Sequence, residues 1–184
     1  MKTYDLTKMA ICITLLCISS YVSFPLPLSP VMITTQTIII NLIALILTPK
    51  QAFVTVSLYI IMGLIGLPVF SGGASGLAKI LSPTGGFIMG FLIAAPLMSY
   101  VKGECVHLKS ALCITILIGM PIIYLFGTYW MSLNQGIGIY DAFKVSVIPF
   151  VLGDVVKCVI ASLVAVRLTK RVNQSVFRGQ LVNE

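Results

Sequence analysis

The chain has 184 residues, of which 58% are hydrophobic and only 9% are charged, and its formal net charge is +7 at pH 7. Soluble domains are about half apolar and about a quarter charged, so this composition, with a mean hydropathy of +1.07, excludes an ordinary soluble domain. It indicates an integral membrane protein. Because one helical span needs about 20 apolar residues, the length allows about six spans with short loops and no soluble ATPase domain.

The remaining composition excludes several kinds of site. The positive charge lies almost entirely at the ends of apolar stretches, which is the distribution that orients a membrane protein rather than one that binds nucleic acid. Five cysteines occur without a Cys-x-x-Cys pair, and the single histidine is His107. We therefore expect neither a metal site nor a disulfide framework. No catalytic constellation is recognisable, so we expect no enzymatic activity and no cofactor.

Breaks at proline, glycine and charged clusters predict a single all-α membrane domain over residues 1–184 with six transmembrane helices. The predicted spans are 6–23, 34–48, 51–67, 85–101, 109–130 and 144–168. The second span is short and joins the third tightly at Pro49 and Lys50, so we expect these two to form a tilted or shielded hairpin. The first span resembles a signal peptide, but Ile18 and Tyr21 do not fit a cleavage site, so we expect it to be retained.

The orientation follows from the lysines and arginines at alternate ends of the six spans. One side carries Lys2, Lys8, Lys50, Lys102, Lys109, Arg167, Lys170, Arg171 and Arg178. The opposite side carries only Lys79 and Lys144. Both termini are therefore predicted to be cytoplasmic. The basic tail from 169 to 184 is expected to lie at the membrane surface or to fray.

Three predicted outer loops, 24–33, 67–84 and 131–143, are long, weakly charged and rich in glycine and proline. Prolines at 25, 27 and 30 exclude a continuous helix, so the first loop is expected to be stiff and extended. The second loop resembles a phosphate-binding loop, but Leu77 and Ala78 separate its last glycine from Lys79, which excludes that interpretation. Its glycines instead predict close approach of backbone to a small ligand.

Asp154 and Lys157 lie in the middle of the last apolar stretch. A charged side chain near the centre of a membrane helix costs roughly 2.5–3.5 kcal/mol, so such residues pair, face the protein interior and mark a substrate path. Three residues apart on a helix, the two share one face. The alternative is a purely structural ion pair that locks this helix to its neighbours. Further polar residues near the outer half predict a mostly apolar pocket with a few oriented polar groups; they are Thr34, Thr35, Gln36, Asn41, Lys79, Thr84 and Asn134.

Four sequence blocks carry a resemblance to a known family. They are SPVMITTQT at 29–37, GLPVFSGG at 66–73, SPTGGFIMGF at 82–91 and PFVLGDVVK at 149–157. In this order and at this spacing, they make the chain closely similar to the BioY family, the biotin-specific S components of energy-coupling factor (ECF) vitamin transporters. The resemblance covers most of the chain.

The resemblance implies a six-helix S-component fold in a prokaryotic plasma membrane. It implies capture of biotin from outside and assembly with a transmembrane T component and two ATPase subunits. Such subunits carry a small-xxx-small motif on the first span, which lets a partner helix pack closely. Here the motif is Ala10-x-x-x-Thr14, a departure from the usual two alanines that puts the register of docking in doubt. Many relatives have arginine where this chain has Lys50.

A biotin site is then expected to use Asp154 for a ureido N–H group and Lys157 for the ureido oxygen or for Asp154 itself, with Gln36 and Thr35 completing the polar set. The charges of Asp154, Lys157 and anionic biotin leave an excess of one negative charge, and Lys79 is the candidate that neutralises it. The alternative for Lys79 is a loop cap in water. The ring system is expected to lie against aromatic or apolar side chains; the candidates are Phe70, Phe87, Tyr140, Phe150 and Leu152.

Three other functions remain open from the residues alone. A self-sufficient oligomeric channel or secondary transporter needs no ATPases, although the two halves of the chain show no convincing inverted repeat. An S component for riboflavin or thiamine shares the fold with a different pocket. The third is a purely structural membrane protein, which the buried charge pair makes the least favoured of the three.

Overall fold

The computed structural model describes residues 3–26, 29–103 and 107–181, without the side chains of residues 26 and 172–181. Within these residues the structure is helical apart from one two-stranded sheet and the connecting loops. Predictions that involve Lys2, Pro27, Cys105 and the side chain of Arg178 lie outside the described residues.

The elements follow one another in short succession along the chain. The helices are α1 Thr3–Ser19, α2 Gln36–Ile46, α3 Pro49–Leu64, α4 Leu77–Leu81, α5 Gly85–Lys102, α6 Leu108–Ile114, α7 Met120–Gln135, α8 Ile139–Ser146 and α9 Val151–Leu181. A π-helical turn, Thr115–Gly119, joins α6 to α7. The strands are β1 Ser23–Leu26 and β2 Ser29–Thr34.

The first outer loop forms an antiparallel β-hairpin. Ser23 lies opposite Thr34, and the register shifts between Pro25 and Leu26. Proline has no backbone N–H group, so a short, irregular two-stranded ladder is the strand pairing that this proline-rich sequence permits. The prediction of an extended loop is confirmed. The hairpin delivers the chain directly into the N-terminal end of α2.

The tight connection between α2 and α3 is a capped helix start. The Thr48 hydroxyl accepts from the backbone N–H of Gln51, the Gln51 side chain accepts from the backbone N–H of Thr48, and Pro49 occupies the first helical position. This capping box satisfies orphan N–H groups and fixes the direction of the new helix. On the other side of the turn, the Leu47 carbonyl accepts from Ser99 Oγ at 2.6 Å and from Lys102 Nζ at 2.7 Å, which ties α2 to the end of α5.

Glycines bring α5 and α7 into close contact. A Cβ atom on Gly86 would overlap Trp130 Cβ and the carbonyl oxygen of Phe126, and a Cβ on Gly90 would lie 3.0 Å from Ile123 Cα. In a membrane, small residues at such seams allow the backbone contact that replaces the hydrophobic effect between helices. The fully buried side chains of α2 and α3, among them Ile40, Ile43, Val56 and Tyr59, pack behind this seam.

Among the described residues, two continuous helical segments are long and apolar enough to cross a membrane, Gly85–Lys102 and Leu108–Gln135. A third is obtained if α8 and α9 are one broken span, because these two helices bend by 56° at their junction. Helices α2 and α3 are apolar but shorter. The six predicted spans thus each find a helical segment in the expected order, whereas the count of six membrane crossings stays a prediction.

The last third of the chain corrects three boundaries. The predicted continuous span over 144–168 is wrong at its start, because the chain breaks between Ser146 and Val151, next to Pro149. The outer loop predicted over 131–143 shrinks to the few residues between α7 and α8, since Gly136 ends α7 in a left-handed conformation with a φ of 65°. The tail expected to fray from residue 169 continues α9 to Leu181.

Candidate functional site

A partly open cavity lies where β2, the N-terminal ends of α2 and α5, and helices α7, α8 and α9 meet. It contains about 560 Å³ of space free of protein atoms, counting its mouth. Most of the exposed surface of its wall is apolar, although nine of the sixteen lining residues have polar side chains; the lining residues are Val31, Met32, Thr34, Gln36, Thr37, Ser71, Thr84, Phe87, Ile88, Phe91, Ile123, Tyr124, Ser146, Phe150, Asp154 and Lys157. Such a mixture is typical of a small-molecule site.

An ion pair forms the polar centre of the cavity. Lys157 Nζ lies 2.8 Å from Asp154 Oδ1, and the two side chains are 13% and 10% exposed, respectively. The Tyr124 hydroxyl donates to the other carboxylate oxygen, Asp154 Oδ2, at 2.6 Å. Both carboxylate oxygens therefore have a donor within the protein, and the remaining lone pairs are free to accept from a ligand.

The break before α9 explains why a carboxylate is placed here. The backbone N–H of Asp154 donates to the carbonyl of Phe150 at 2.8 Å, so the residue stands in the first turn of α9. The N-terminal end of a helix carries a partial positive charge that stabilises a carboxylate. Helix geometry then places Lys157 one turn later on the same face.

A buried hydrogen-bond chain fixes Gln36 in the wall of the cavity. Gln36 Nε2 donates to the Tyr59 hydroxyl at 2.6 Å, and that hydroxyl donates to the Val69 carbonyl at 3.0 Å. Gln36 is 3% exposed and Tyr59 is fully buried against Phe70, with the two rings edge to face. The Tyr59 hydroxyl, itself fixed by the Val69 carbonyl, thus holds the amide group of Gln36 in place.

The apolar wall depends on a glycine of the neighbouring helix. Phe87 and Phe91 of α5 and Phe150 line the cavity. A Cβ atom on Gly127 of α7 would overlap the Phe87 ring. The absence of a side chain at Gly127 is therefore what allows Phe87 to lie flat between α5 and α7.

Neutral hydroxyl groups surround the remaining polar surface. Ser146 of α8 shares a hydrogen bond with Thr128 of α7 at 3.1 Å, and Thr84 shares one with Ser82 at 3.0 Å. Ser146 and Thr84 line the cavity together with Ser71. This arrangement suits a ligand with several neutral hydrogen-bonding atoms, since a hydroxyl group donates and accepts.

Comparison with known proteins places this site in a family. A sequence profile described as the BioY family matches residues 1–174. The chain belongs to the BioY family. It is 36% identical to a probable biotin transporter BioY of Pyrococcus horikoshii, over 91% of this chain and 98% of that protein. It is 32% identical to the biotin transporter BioY of Thermotoga maritima, over 90% of this chain and 96% of that protein.

The structural comparison agrees with the BioY assignment. The crystal structure of the S component for biotin from an ECF-type ABC transporter matches with a TM-score of 0.86 and 26% sequence identity, covering 92% of this chain and 95% of that one. The predicted S-component fold is confirmed. Each of the four sequence blocks on which the resemblance was based contributes to the cavity lining, with Met32, Ser71, Phe87 and Asp154 as examples.

Four of the predicted ligand-binding residues lie together. Asp154, Lys157, Gln36 and Phe87 line one cavity, although they come from three distant parts of the sequence. Their roles toward a ligand stay predictions. Phe150, one of the alternatives for the ring wall, lines the same cavity, whereas Leu152 is 81% exposed.

Three predicted residues are not part of the cavity lining. The Thr35 hydroxyl donates to the Ser19 carbonyl at 2.9 Å and thereby ties α2 to α1. Tyr140 on α8 is 70% exposed, and Lys144 Nζ lies 4.2 Å from the centre of its ring. Both belong to the framework or the surface because their partners are protein groups outside the cavity. Lys79 lies half-buried on α4, behind the mouth, where burial lowers its pKa.

Sequence reasoning missed Tyr124, which makes the shortest hydrogen bond to Asp154. A signal was present, because Tyr124 stands in the interior of the predicted span 109–130, where a hydroxyl group needs a partner. Thr37 and Ser146 were also missed. Their small hydroxyl groups look alike in any helix of a membrane protein, so only the packing of the helices identifies them as cavity residues.

The predicted partner-binding motif lies on an exposed face. Ala10 and Thr14 of α1 are both exposed, and the Thr14 hydroxyl donates to the carbonyl of Ala10 at 2.9 Å. The Thr14 hydroxyl, the polar side-chain group of the motif, therefore already has its acceptor within α1. The side chains at these two positions are small, which is the property that close helix packing requires.

Proposed function

We propose that this protein captures biotin at the outer side of a prokaryotic cell membrane, as the substrate-binding subunit of an ECF-type transporter. The observation that carries the proposal is the Asp154–Lys157 pair, nearly buried in a mainly apolar cavity in a chain whose BioY relatives are named as biotin transporters. A transporter of this kind binds its cargo without changing it. We therefore expect no catalysis.

The ureido ring of biotin has two N–H donors and one carbonyl acceptor, which match the polar centre of the cavity. In the proposed complex Asp154 accepts a ureido N–H group while keeping its bond from Tyr124, and Lys157 donates to the ureido oxygen. Gln36 supplies a further polar contact. Hydrogen bonds with a charged partner in a site shielded from water are about twice as strong as neutral ones, so these contacts supply much of the selectivity.

The thiophane ring and the aliphatic tail of biotin need apolar walls. Phe87, Phe91 and Phe150 offer aromatic surface next to the ion pair, and Met32 of the hairpin covers the opposite side. Thioether and aromatic groups attract one another, which favours the ring sulfur of biotin beside a phenyl group. The ligand is then oriented with its ureido ring inward and its tail toward the mouth.

Lys79 is the proposed partner of the biotin carboxylate. Ser71 and Thr84 line the cavity, and Lys79 lies shortly before Thr84 in the chain, so the tail of biotin is proposed to leave on this side. Among the side chains that the structure describes, no carboxylate pairs with Lys79, so its charge is available to an anionic ligand. Adding this charge brings Asp154, Lys157 and anionic biotin to neutrality.

The affinities of Lys79→Ala for biotin and for biotinamide test this role. We expect the variant to lose the preference for the free acid while it keeps its affinity for the amide. In the wild type, we expect the affinity for biotin to decrease as the pH rises, and the decrease should begin at a pH below the usual titration range of lysine. Burial lowers the pKa of Lys79, and the neutral amine attracts no anion. Lys144→Ala, which removes an exposed outer lysine, is the matched control. An unchanged preference in Lys79→Ala would remove this residue from the site.

The proposed assembly completes the transporter. Six helical passages with both termini in the cytoplasm place the cavity outside, and the exposed Ala10–Thr14 face of α1 is the proposed contact for a transmembrane T component, which two ATPase subunits drive. Uptake of labelled biotin by cells with and without this energy-coupling module tests the arrangement. Uptake that persists at the full rate without the module would instead identify a self-sufficient transporter.

Equilibrium titration of the purified protein is the decisive test of the proposed cargo. Protein prepared from biotin-free membranes should bind biotin tightly and bind neither riboflavin nor thiamine. Asp154→Asn keeps the shape of the side chain and should weaken biotin binding in the folded fraction, whereas Asp141→Asn, at an exposed position, should not. Equal binding of all three vitamins, or wild-type affinity in Asp154→Asn, would refute the proposal.

A further inference from the structure

A second, smaller chamber lies one helical turn deeper than the cavity. Asn41 follows Thr37 by one turn on α2, and Cys158 follows Asp154 by one turn on α9. The chamber leaves about 10 Å³ for the centre of a water molecule, about the least that one buried water needs, and it is lined by Thr37, Asn41, Met120, Ile123, Tyr124, Asp154 and Cys158. Thr37, Ile123, Tyr124 and Asp154 line both spaces, so the carboxylate of Asp154 stands between the cavity and the chamber.

The chamber is bordered by polar atoms that have no partner in the described part of the protein. Asn41 is 3% exposed, and its Nδ2 donates to Cys158 Sγ at 3.4 Å. Its carbonyl oxygen, Oδ1, receives no hydrogen bond, and the buried hydroxyl of Thr37 makes none. A buried amide oxygen or hydroxyl without a partner is costly in an apolar interior, so a ligand that forms hydrogen bonds with both atoms would be stabilised here.

The local fold leaves room for that ligand. The π-helical turn Thr115–Gly119 ends beside Asn41, and a Cβ atom on Gly119 would lie 3.5 Å from Asn41 Oδ1 while overlapping Met98 Sδ. An alanine at Gly119 would therefore clash with Met98, and its Cβ would lie in ordinary van der Waals contact with Asn41 Oδ1. Single π-helical turns are rare and occur frequently at functional sites, which agrees with this placement.

We propose that the chamber binds one water molecule, which joins Asn41 and Thr37 to the inner side of Asp154. The water donates to Asn41 Oδ1 and to the Asp154 carboxylate, and it accepts from the Thr37 hydroxyl. About three hydrogen bonds is the usual number for a buried water. A dehydrated hard cation takes about six oxygen ligands, and the side chains around the chamber offer fewer.

The water makes Asn41 a positioning residue for ligand binding. Lys157 and Tyr124 hold the two oxygens of Asp154, and the water adds a third contact on the side of the carboxylate opposite the cavity. Asn41 lines only the chamber, so it acts on a ligand through the water and Asp154 and not by touch. This consequence rests on the proposed binding of biotin, whereas the water site itself does not.

A crystal structure at a resolution that shows ordered waters tests the site directly. In the wild type we expect one water within hydrogen-bond distance of Asn41 Oδ1, the Thr37 hydroxyl and Asp154, with or without biotin. In Asn41→Leu, whose side chain has a similar volume, we expect no water there. A dry chamber in the wild type would overturn the proposal even if biotin binds, and an ordered water in a protein that binds no biotin would refute only the proposed function.

Biotin titration tests the positioning role. Asn41→Leu and Thr37→Val should each weaken binding about fivefold to tenfold, the size expected for one hydrogen bond, and Thr37→Ser should restore it. The double variant should lose no more than the weaker-binding single variant, because both changes remove the same water. Thr55→Val is the matched control, since Thr55 is a fully buried threonine whose hydroxyl also has no partner but which lies away from the chamber.

Three outcomes would contradict the proposal. Wild-type affinity in Asn41→Leu would show that nothing in the chamber supports Asp154. Additive losses in the double variant would show that Asn41 and Thr37 act separately. Biotin affinity that depends on sodium, when choline replaces it at constant ionic strength, would identify a cation in the chamber in place of water.

Discussion

The side chain of Asp154 is constrained by hydrogen bonds to both of its carboxylate oxygens. Its two carboxylate oxygens accept from Tyr124 and Lys157 at 2.6 Å and 2.8 Å, and its backbone stands in the first turn of α9. The group is thus fixed by interactions from two helices before a ligand arrives. A pre-organised acceptor loses little freedom on binding, which raises the affinity that a few hydrogen bonds supply.

Removal of the Tyr124 hydroxyl should weaken biotin binding strongly. Tyr124→Phe keeps the ring but deletes a hydrogen bond to a charged group, worth about 1.5–3 kcal/mol, so we expect an affinity about 10- to 100-fold lower. Equilibrium titration measures this change. Tyr129→Phe, on the same helix but exposed, is the control and should bind as the wild type does. Equal affinities of the two variants would show that Tyr124 does not support the site.

The chain contains three Asp-x-x-Lys ion pairs, Asp5–Lys8, Asp141–Lys144 and Asp154–Lys157, and the last two separate the effect of burial from that of charge. Lys157→Met leaves Asp154 without its cation in an almost dry site, and breaking a buried pair in this way costs about 3–5 kcal/mol. Lys144→Met breaks the exposed pair with Asp141, whose side chains are 48% and 69% exposed for the lysine and the aspartate. That change should cost at most about 1 kcal/mol. Denaturant unfolding in detergent micelles measures both free energies.

The double variant Asp154→Asn/Lys157→Met completes the comparison. It removes both charges together and should be more stable than Lys157→Met alone, because no uncompensated charge remains buried. Its biotin affinity should nevertheless stay low. A double variant that is both stable and ligand-binding would contradict the role of the pair in recognition.

At the scale of elements, irregular helices build the site. The 56° bend between α8 and α9 turns the start of α9 toward the cavity, and the π-helical turn before α7 adjoins the chamber. The glycine seam between α5 and α7 then brings Phe87 close to Tyr124. Long regular helices alone would provide neither the helix N-terminus under Asp154 nor the space beside Asn41.

Substitution of Gly86 should destabilise the α5–α7 seam. An alanine Cβ would overlap the Phe126 carbonyl oxygen and Trp130 Cβ, which are not free ends of side chains, so the helices must separate. Overpacking of this kind costs typically about 1–3 kcal/mol. Gly153→Ala is the control, because a Cβ there meets no atom within 4 Å. Thermal unfolding in detergent should show a melting temperature below that of the wild type for Gly86→Ala and not for Gly153→Ala. Equal melting temperatures of the two variants would contradict the close seam.

At the scale of the molecule, the two ends of the helical bundle differ in charge. Lys50, Lys102 and Lys109 lie at one end, and the α9 side chains Arg167, Lys170 and Arg171 continue this basic character. The end that holds the hairpin, α4 and the mouth of the cavity carries Lys79 and Lys144. Positively charged residues are retained on the cytoplasmic side, so the mouth of the cavity is predicted to face outside.

Cysteine labelling tests this orientation. In a variant without the native cysteines, Gly138→Cys between α7 and α8 should react with a membrane-impermeant maleimide in intact cells. Lys109→Cys at the start of α6 should react only after the membrane is permeabilised. Both positions are exposed, so access through the membrane decides the result. The reverse pattern would invert the proposed topology and place the cavity inside the cell.

The class of protein and its family could be predicted from the amino-acid sequence alone. Composition alone required a membrane, the breaks at proline and glycine located six helical segments, and four sequence blocks indicated the BioY family. Asp154 and Lys157 were recognisable because a charge in an apolar helix is too costly to be incidental. Gln36 and Phe87 lie in the blocks that carry the resemblance and were predicted as site residues with its help.

Only the folded structure shows which side chains lie next to one another. Tyr124 of α7, and Thr37 and Asn41 of α2, lie far from Asp154 in the sequence, and no local pattern shows that all three line one chamber with it. Thr35 and Tyr140 looked like site residues, but their hydroxyl and ring contact other protein groups. A helix boundary or the cost of a buried charge depends on neighbouring residues and can be read from sequence, whereas a cavity depends on the relative rotation of helices, which is set by packing across the whole molecule.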